Sequence, residues 1–362
     1  MSANAPTSPF PAPVGGVLLP EDFAPSLLFG ILYLLLIPFI ALRFISKSSR
    51  TMVIMGVALT TIVRVLNFAF RMAQSKDPSL RASITITIWL QGSYSATFIA
   101  LANDVIHIGR AYLVGTTRAR EPEDPADDSA LEIPVPAASD GQQVLGDSIH
   151  LEDRGFPDVA SKSSSKQKID IKEVEVEVTI GDMSSLRDEP NLRDEPKRRR
   201  YIRILCIIFT TLLIICSIMW AVSGGIYYGS MLNLASDAMI TQVTSMIETV
   251  IPLLVLQSMN VLLLFAWITR PRRVCRNRIL YLCLICCILT IPIVYRLTIS
   301  SVMTTSWEPD APDSLNSHTQ KALFYSLHIV PELLAAVLLL RINIRIVYNT
   351  GLGGDWGMRD KK

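Results

Sequence analysis

Residues 23–44 read FAPSLLFGILYLLLIPFIALRF, with Arg43 the only charge, and residues 45–50 continue ISKSSR. An apolar run of about 20 residues crosses the hydrocarbon core of a bilayer as a helix. Lipid cannot hydrogen-bond a bare backbone, and the run lacks the alternation of a barrel strand, so a helix is the structure it dictates. Working outward, six further runs of this kind occupy 51–71, 83–108, 201–224, 239–268, 279–303 and 323–347. Several exceed the minimum span and predict tilt or extension past the membrane surface. The expected fold is all-α, a polytopic integral membrane protein with seven transmembrane helices.

Lys and Arg fall mainly on alternate connections, which sets orientation. The segment up to residue 22 has neither, nor does the region around Asn233 and Asp237, and the loop before the seventh helix carries Glu308, Asp310 and Asp313 against Lys321. Arg43, Lys47 and Arg50 follow the first helix, and Arg110, Arg118 and 197–200 flank the central loop. Arg270, Arg272, Arg273, Arg276 and Arg278 crowd the connection between helices five and six, and Arg359, Lys361 and Lys362 come last. The expected topology has the N-terminus outside and the C-terminus cytoplasmic. Arg71, Lys76 and Arg81, with only Asp77, run against it in the second-to-third connection.

The organisation follows: an extracytoplasmic tail 1–22, helices one to three in 23–114, a central loop 115–200, helices four to seven in 201–347, and a cytoplasmic tail 348–362. Formal net charge is only +2, because the apolar spans hide an acidic central loop. That loop is rich in Asp, Glu, Ser and Pro, a composition that predicts disorder, and it ends in the polybasic run 197–200. Within it, KIDIKEVEVEVTI (168–180) alternates apolar and charged residues in a way that suits strand pairing with a partner, and LRDEP occurs twice around Asn191. A solvated linker is the plainer reading of both. The N-terminus lacks a basic n-region, so the first helix is expected to remain as an anchor. Cys206, Cys216, Cys275, Cys283, Cys286 and Cys287 lie in helices or on the expected inner side, which disfavours a structural disulfide.

Polar groups inside membrane helices mark function most often, because lipid penalises each of them. Counting along each helix places Arg64, Gln91, Glu248, Arg296, His328 and Glu332 in one outer-half layer contributed by five helices. Two Arg and two Glu there can neutralise each other, and these six residues are the candidate substrate-binding set. Such a layer suits an outward-facing polar cavity, or alternatively an ion-pair network that only orders the helices. His328 and Glu332 share a helix face at i, i+4, as do Asp104 and His107 at i, i+3. A zinc hydrolase would need about three converging ligands. The two pairs lie at different depths, so a metal centre, and an enzyme generally, is not expected; Asp104 and His107 read as an interfacial polar patch.

Several stretches carry a resemblance: Arg64 through Asp77, Pro78 and Ser79 to Ile108, Gly109 and Arg110; Ser223, Gly224 and Gly225; Tyr295 and Arg296; and Phe324, Tyr325, Pro331, Leu333 and Leu334. Together they are similar to the fungal seven-helix lipid-translocating exporter (RTA-like) family, of which this chain looks like a divergent member. The resemblance covers the seven-helix core loosely. Ile299 stands where that family has an acidic residue, the His-Pro ending of the seventh helix is absent, and the long acidic insertion is atypical. It implies a multi-pass protein of the plasma membrane or endomembranes that translocates a lipid or amphiphile.

A seven-transmembrane receptor, like a G-protein-coupled receptor, is the alternative. Arg110 and Tyr112 loosely suit a receptor's third helix, but Gly109 precedes Arg110 and the seventh helix lacks Asn-Pro-x-x-Tyr. No lysine is expected in the seventh helix, which disfavours a retinal protein. No phosphate-binding glycine loop occurs, so this chain is not expected to drive nucleotide-powered pumping. The expected partners are membrane lipids, a lipid or amphiphile substrate, and a cytoplasmic protein for the 115–200 loop; neither a cofactor nor nucleic acid is expected.

Overall fold

The computed structural model describes residues 10–81, 83–118, 194–231, 235–304 and 314–355, with only the backbone course given for 220–231 and 235–237. Among the described residues, seven helices are long and apolar enough to cross a membrane. They are α1 (Phe23–Ile45), α2 (Met55–Lys76), α3 (Ile84–Gly115), α4 (Pro196–Met231), α5 (Ala235–Thr269), α6 (Arg276–Ile299) and α7 (His318–Arg341). The protein is therefore an all-α, seven-helix, multi-pass membrane protein. The alternating segment 168–180, the first LRDEP copy, the acidic loop residues 308–313, Asn233 and the basic residues 359–362 lie outside the described residues, as do the side chains of Ser223 and Asp237.

Helix α3 occupies the middle of the bundle and touches α2, α4, α5, α6 and α7. Lipid tails give apolar helices little reason to associate, so close packing and interhelical hydrogen bonds must hold them together. Both operate where α2 meets α3. Gly56 lies so close to Ala100 that a Cβ there would collide with the Ala100 carbonyl oxygen and with Asp104 Oδ1. The Asp104 carboxylate in turn accepts the Gly56 and Val57 amides at 2.9 and 2.7 Å. It thus caps the start of α2, whose own N-cap, Ile54, supplies no side-chain bond. Asp104 and His107 are both buried, which corrects the expected interfacial patch.

Helix ends depart from expectation for identifiable reasons. Ser317 and Gln320 form a reciprocal capping box that starts α7 at His318, so Lys321 belongs to its first turn. The expectation of a lysine-free seventh helix is corrected accordingly. At the other end, Arg43 Nε and Nη2 donate to the Leu340 carbonyl at 3.2 and 3.0 Å, and α7 stops at Arg341 instead of running to 347. Helix α4 begins at Pro196, so 197–200 forms its first turn. The second LRDEP copy is no solvated linker at this end: Glu195 pairs with Arg270 at 3.4 Å and Arg273 at 3.8 Å, joining the start of α4 to the α5–α6 turn.

The segment before α1 is not a free tail. Phe10–Pro11 (β1) pairs antiparallel with Met303–Thr304 (β2), just after α6, and Ala12 donates to the Val302 carbonyl at 3.0 Å. Gly15 and Gly16 have positive φ, and a Cβ at Gly16 would meet the Leu315 carbonyl, so this turn requires glycine. Beyond it Val17 donates to Asn316 Oδ1 at 2.7 Å. Residues 10–18 thus form a strap across one end of the bundle, with Phe10, Ala12, Val14 and Leu18 buried.

Candidate ligand site

Helix α2 is amphipathic in the inverted sense. Leu59, Ile62, Leu66 and Phe70 are exposed, while Thr60, Thr61, Arg64, Asn67, Arg71 and Gln74 are buried. In a membrane this arrangement turns apolar side chains to lipid and polar ones to the bundle interior. It aims Arg64 at α7, where Nε donates to Glu332 Oε2 at 2.8 Å and Nη2 donates to the same oxygen. Thr97 Oγ1 adds a longer bond to that oxygen at 3.4 Å. Arg64 Nη2 also lies 3.4 Å from His328 Nε2, and its guanidinium carbon sits 5.0 Å from the centre of the Tyr94 ring. His328 and Glu332 do share a face, with Nε2 and Oε1 3.8 Å apart. His328 stands within a π-helical turn, Phe324–Ile329, directly before Val330 and Pro331. Proline has no amide to continue the i to i−4 ladder, a local cause for widening the helix there.

Arg296 of α6 is only 5 % exposed, with its guanidinium carbon 5.7 Å from the centre of the Phe98 ring. Its Nε and Nη1 are buried and find no hydrogen-bond partner among the described residues. Of the acidic groups around it, Glu248 of α5 exerts the strongest pull and Glu332 the next. Leaving a buried donor unsatisfied costs about 1–3 kcal/mol, and more when it is charged. Arg64 Nη1, His328 Nδ1 and Glu332 Oε1 also lack partners among the described residues.

Arg296 and Glu248 line a cavity of about 60 Å³, room for a few water molecules or a small polar group. Its other walls are the strap residues Pro11, Ala12 and Val14, Gln91 and Ser95 of α3, Thr241 and Ser245 of α5, and Ile299 and Ser300 at the end of α6. Gln91 holds the strap: its Oε1 accepts from the Val14 amide at 2.8 Å and its Nε2 donates to the Val14 carbonyl at 3.3 Å. Five of the six candidate residues therefore contribute charge or an imidazole to one buried layer, and the sixth fastens the cover over it. Ile299 leaves Arg296 without an acid one turn further along α6.

A second charged cluster, not anticipated from sequence, lies two helical turns beyond Arg64. Arg71 is 1 % exposed, donates to Tyr94 OH at 2.9 Å and Tyr325 OH at 3.3 Å, and lies 3.5 Å from Asp22 Oδ1. Lys321 pairs with Asp22 and donates to the Val17 carbonyl at 3.3 Å. The spacing of seven residues from Arg64 was the available signal, since it keeps Arg71 on the same face. Arg71 is thus an interior group and not a loop charge, which removes it from the basic residues that ran against the expected topology.

Among the described residues, no group of three His, Cys, Asp or Glu side chains is placed to hold a metal ion. All six cysteines are free thiols. No family model, curated protein or solved structure matches the chain.

Proposed function

We propose that this protein translocates a lipid or other amphiphile, its polar headgroup entering the layer of Arg64, Gln91, Glu248, Arg296, His328 and Glu332 while the apolar tails stay in the bilayer. One observation carries the reading: a buried guanidinium with unsatisfied donors faces a polar cavity beneath a strap. An ordering network alone would be expected to satisfy its own donors, as Arg64 and Glu332 largely do. The resemblance to the fungal lipid-translocating exporters supports the same reading, with a plasma-membrane or endomembrane location. With the strap end outside, as the Lys and Arg distribution favours, the cavity faces the extracytoplasmic side.

Access from that side requires the strap to move, because Pro11, Ala12 and Val14 form part of the cavity wall. Arg296→Ala and Glu332→Ala should each reduce uptake or efflux of a fluorescent lipid by cells about tenfold or more per molecule of protein at the surface, the effect of losing a charge-assisted bond worth about 1.5–3 kcal/mol. Normal transport in both variants would contradict the proposal.

A further inference from the structure

Resting on that reading, we infer that the Arg296–Glu248 cavity recognises a zwitterionic headgroup: an ammonium joined to a phosphate or carboxylate, with no net charge. The cavity presents both signs at once, Arg296 from α6 and Glu248 from α5, among the hydroxyls of Ser95, Ser245 and Ser300. Glu248 is itself only 2 % exposed. A purely anionic group approaching the open guanidinium would bring a second negative charge beside a buried carboxylate. A purely cationic group would be drawn to Glu248 but repelled by Arg296 and Arg64. Like charges in a poorly solvated site repel strongly, whereas a zwitterion forms two opposite-sign contacts and leaves the net charge of the layer unchanged.

The remaining walls agree with this division. Ile299 fills the position one turn from Arg296 with an apolar side chain, so the acid that shares this cavity with the guanidinium is Glu248. The strap offers the cavity Pro11, Ala12 and Val14, none with a charged or hydroxyl group, so among the described residues Arg296 is the only charged donor lining it. A volume of about 60 Å³ suits the charged terminus of a headgroup and no acyl chain. The same chemistry occurs in an ethanolamine-type phospholipid and in a free zwitterion such as glycerophosphoethanolamine, whose phosphodiester carries a single negative charge.

The test has two arms on the full-length purified protein. In proteoliposomes, flux is compared for fluorescent lipids with ethanolamine-type, anionic glycerol-type and cationic trimethylammonium headgroups. In detergent, binding of glycerophosphoethanolamine is compared with that of inorganic phosphate and of ethylamine. The expected result is flux of the zwitterionic lipid about tenfold above the other two, a preference of about 1.4 kcal/mol, and binding of glycerophosphoethanolamine that neither half reproduces. Glu248→Gln should move the preference toward the anionic lipid and phosphate, and Arg296→Gln toward the cationic lipid and ethylamine.

Equal flux of all three lipids would overturn the inference and leave translocation standing. So would an unchanged preference in the wild-type-like fold of Glu248→Gln. Binding of glycerophosphoethanolamine without flux of any lipid would uphold the inference for a free solute and overturn lipid translocation. Neither binding preference nor flux would overturn both.

Discussion

Asp104 and Arg296 are both buried charged residues of membrane helices, yet their surroundings assign them opposite kinds of work. Asp104 accepts two backbone amides at the start of α2, where the helix needs acceptors. Asp104→Ala should therefore lower stability by about 2 kcal/mol through loss of the cap, read as a fall in melting temperature in detergent, without altering headgroup preference. Arg64 and Glu332 are satisfied mainly by each other. Replacing either alone strands a buried charge at a cost of about 3–5 kcal/mol, while the double replacement by Leu should recover most of that stability. If the double variant also recovers transport, the pair serves only to order the helices. Depth along each helix made Arg64, Glu248, Arg296, His328 and Glu332 legible from sequence as one layer. Which Glu pairs with which Arg was not legible, because it depends on how each helix is rotated in the bundle. Asp104 was misread for a related reason: its partners are backbone amides, which carry no sequence signal.

At the scale of elements, the strap was the least legible feature. PAPVGG at residues 11–16 reads only as part of an extracytoplasmic tail, and the surroundings of Gly15 and Gly16 reveal a fixed turn against the loop before α7. Gln91 had the right depth for the polar layer, but its backbone partner, Val14, could not be inferred, because a backbone amide and carbonyl carry no sequence signal. Gln91→Ala removes both of these bonds, a net loss of about 1 kcal/mol, and should raise exposure of the strap to protease about fivefold relative to wild type. An unchanged cleavage rate would show that β1–β2 pairing and Lys321 suffice to hold it.

At the opposite end the chain beyond α7 is likewise built in. Tyr348 donates to the Arg278 carbonyl at 3.1 Å and packs edge-on against Tyr112 at 5.5 Å, and Asp355 receives Arg203 at 2.8 and 3.1 Å. Burial, with Tyr281 and Tyr112 nearby, raises the pKa of Tyr348 above the usual tyrosine range. A raised pKa means that its contribution to stability is complete below the unfolded value of about 10 and is lost as pH climbs beyond it. Melting curves should accordingly show an alkaline decline that is smaller in Tyr348→Phe, which has no hydroxyl to ionise.

For the whole molecule, hydropathy alone made the seven-helix architecture legible, because the bilayer sets helix length and forbids unpaired backbone. Boundaries shifted where side chains satisfied helix-end groups, Arg43 from α1 at the end of α7 and its own capping residues Ser317 and Gln320 at its start. Function is less tightly bound to fold, since the same seven helices suit a receptor. A receptor would stimulate nucleotide exchange on a G protein when its ligand binds, and translocation of lipid would not be required. The most direct test is flux of a fluorescent zwitterionic lipid across proteoliposomes containing the purified protein. The account predicts flux well above protein-free vesicles and its loss in Arg296→Ala; flux equal to that of empty vesicles, or unaffected by Arg296→Ala, would contradict it.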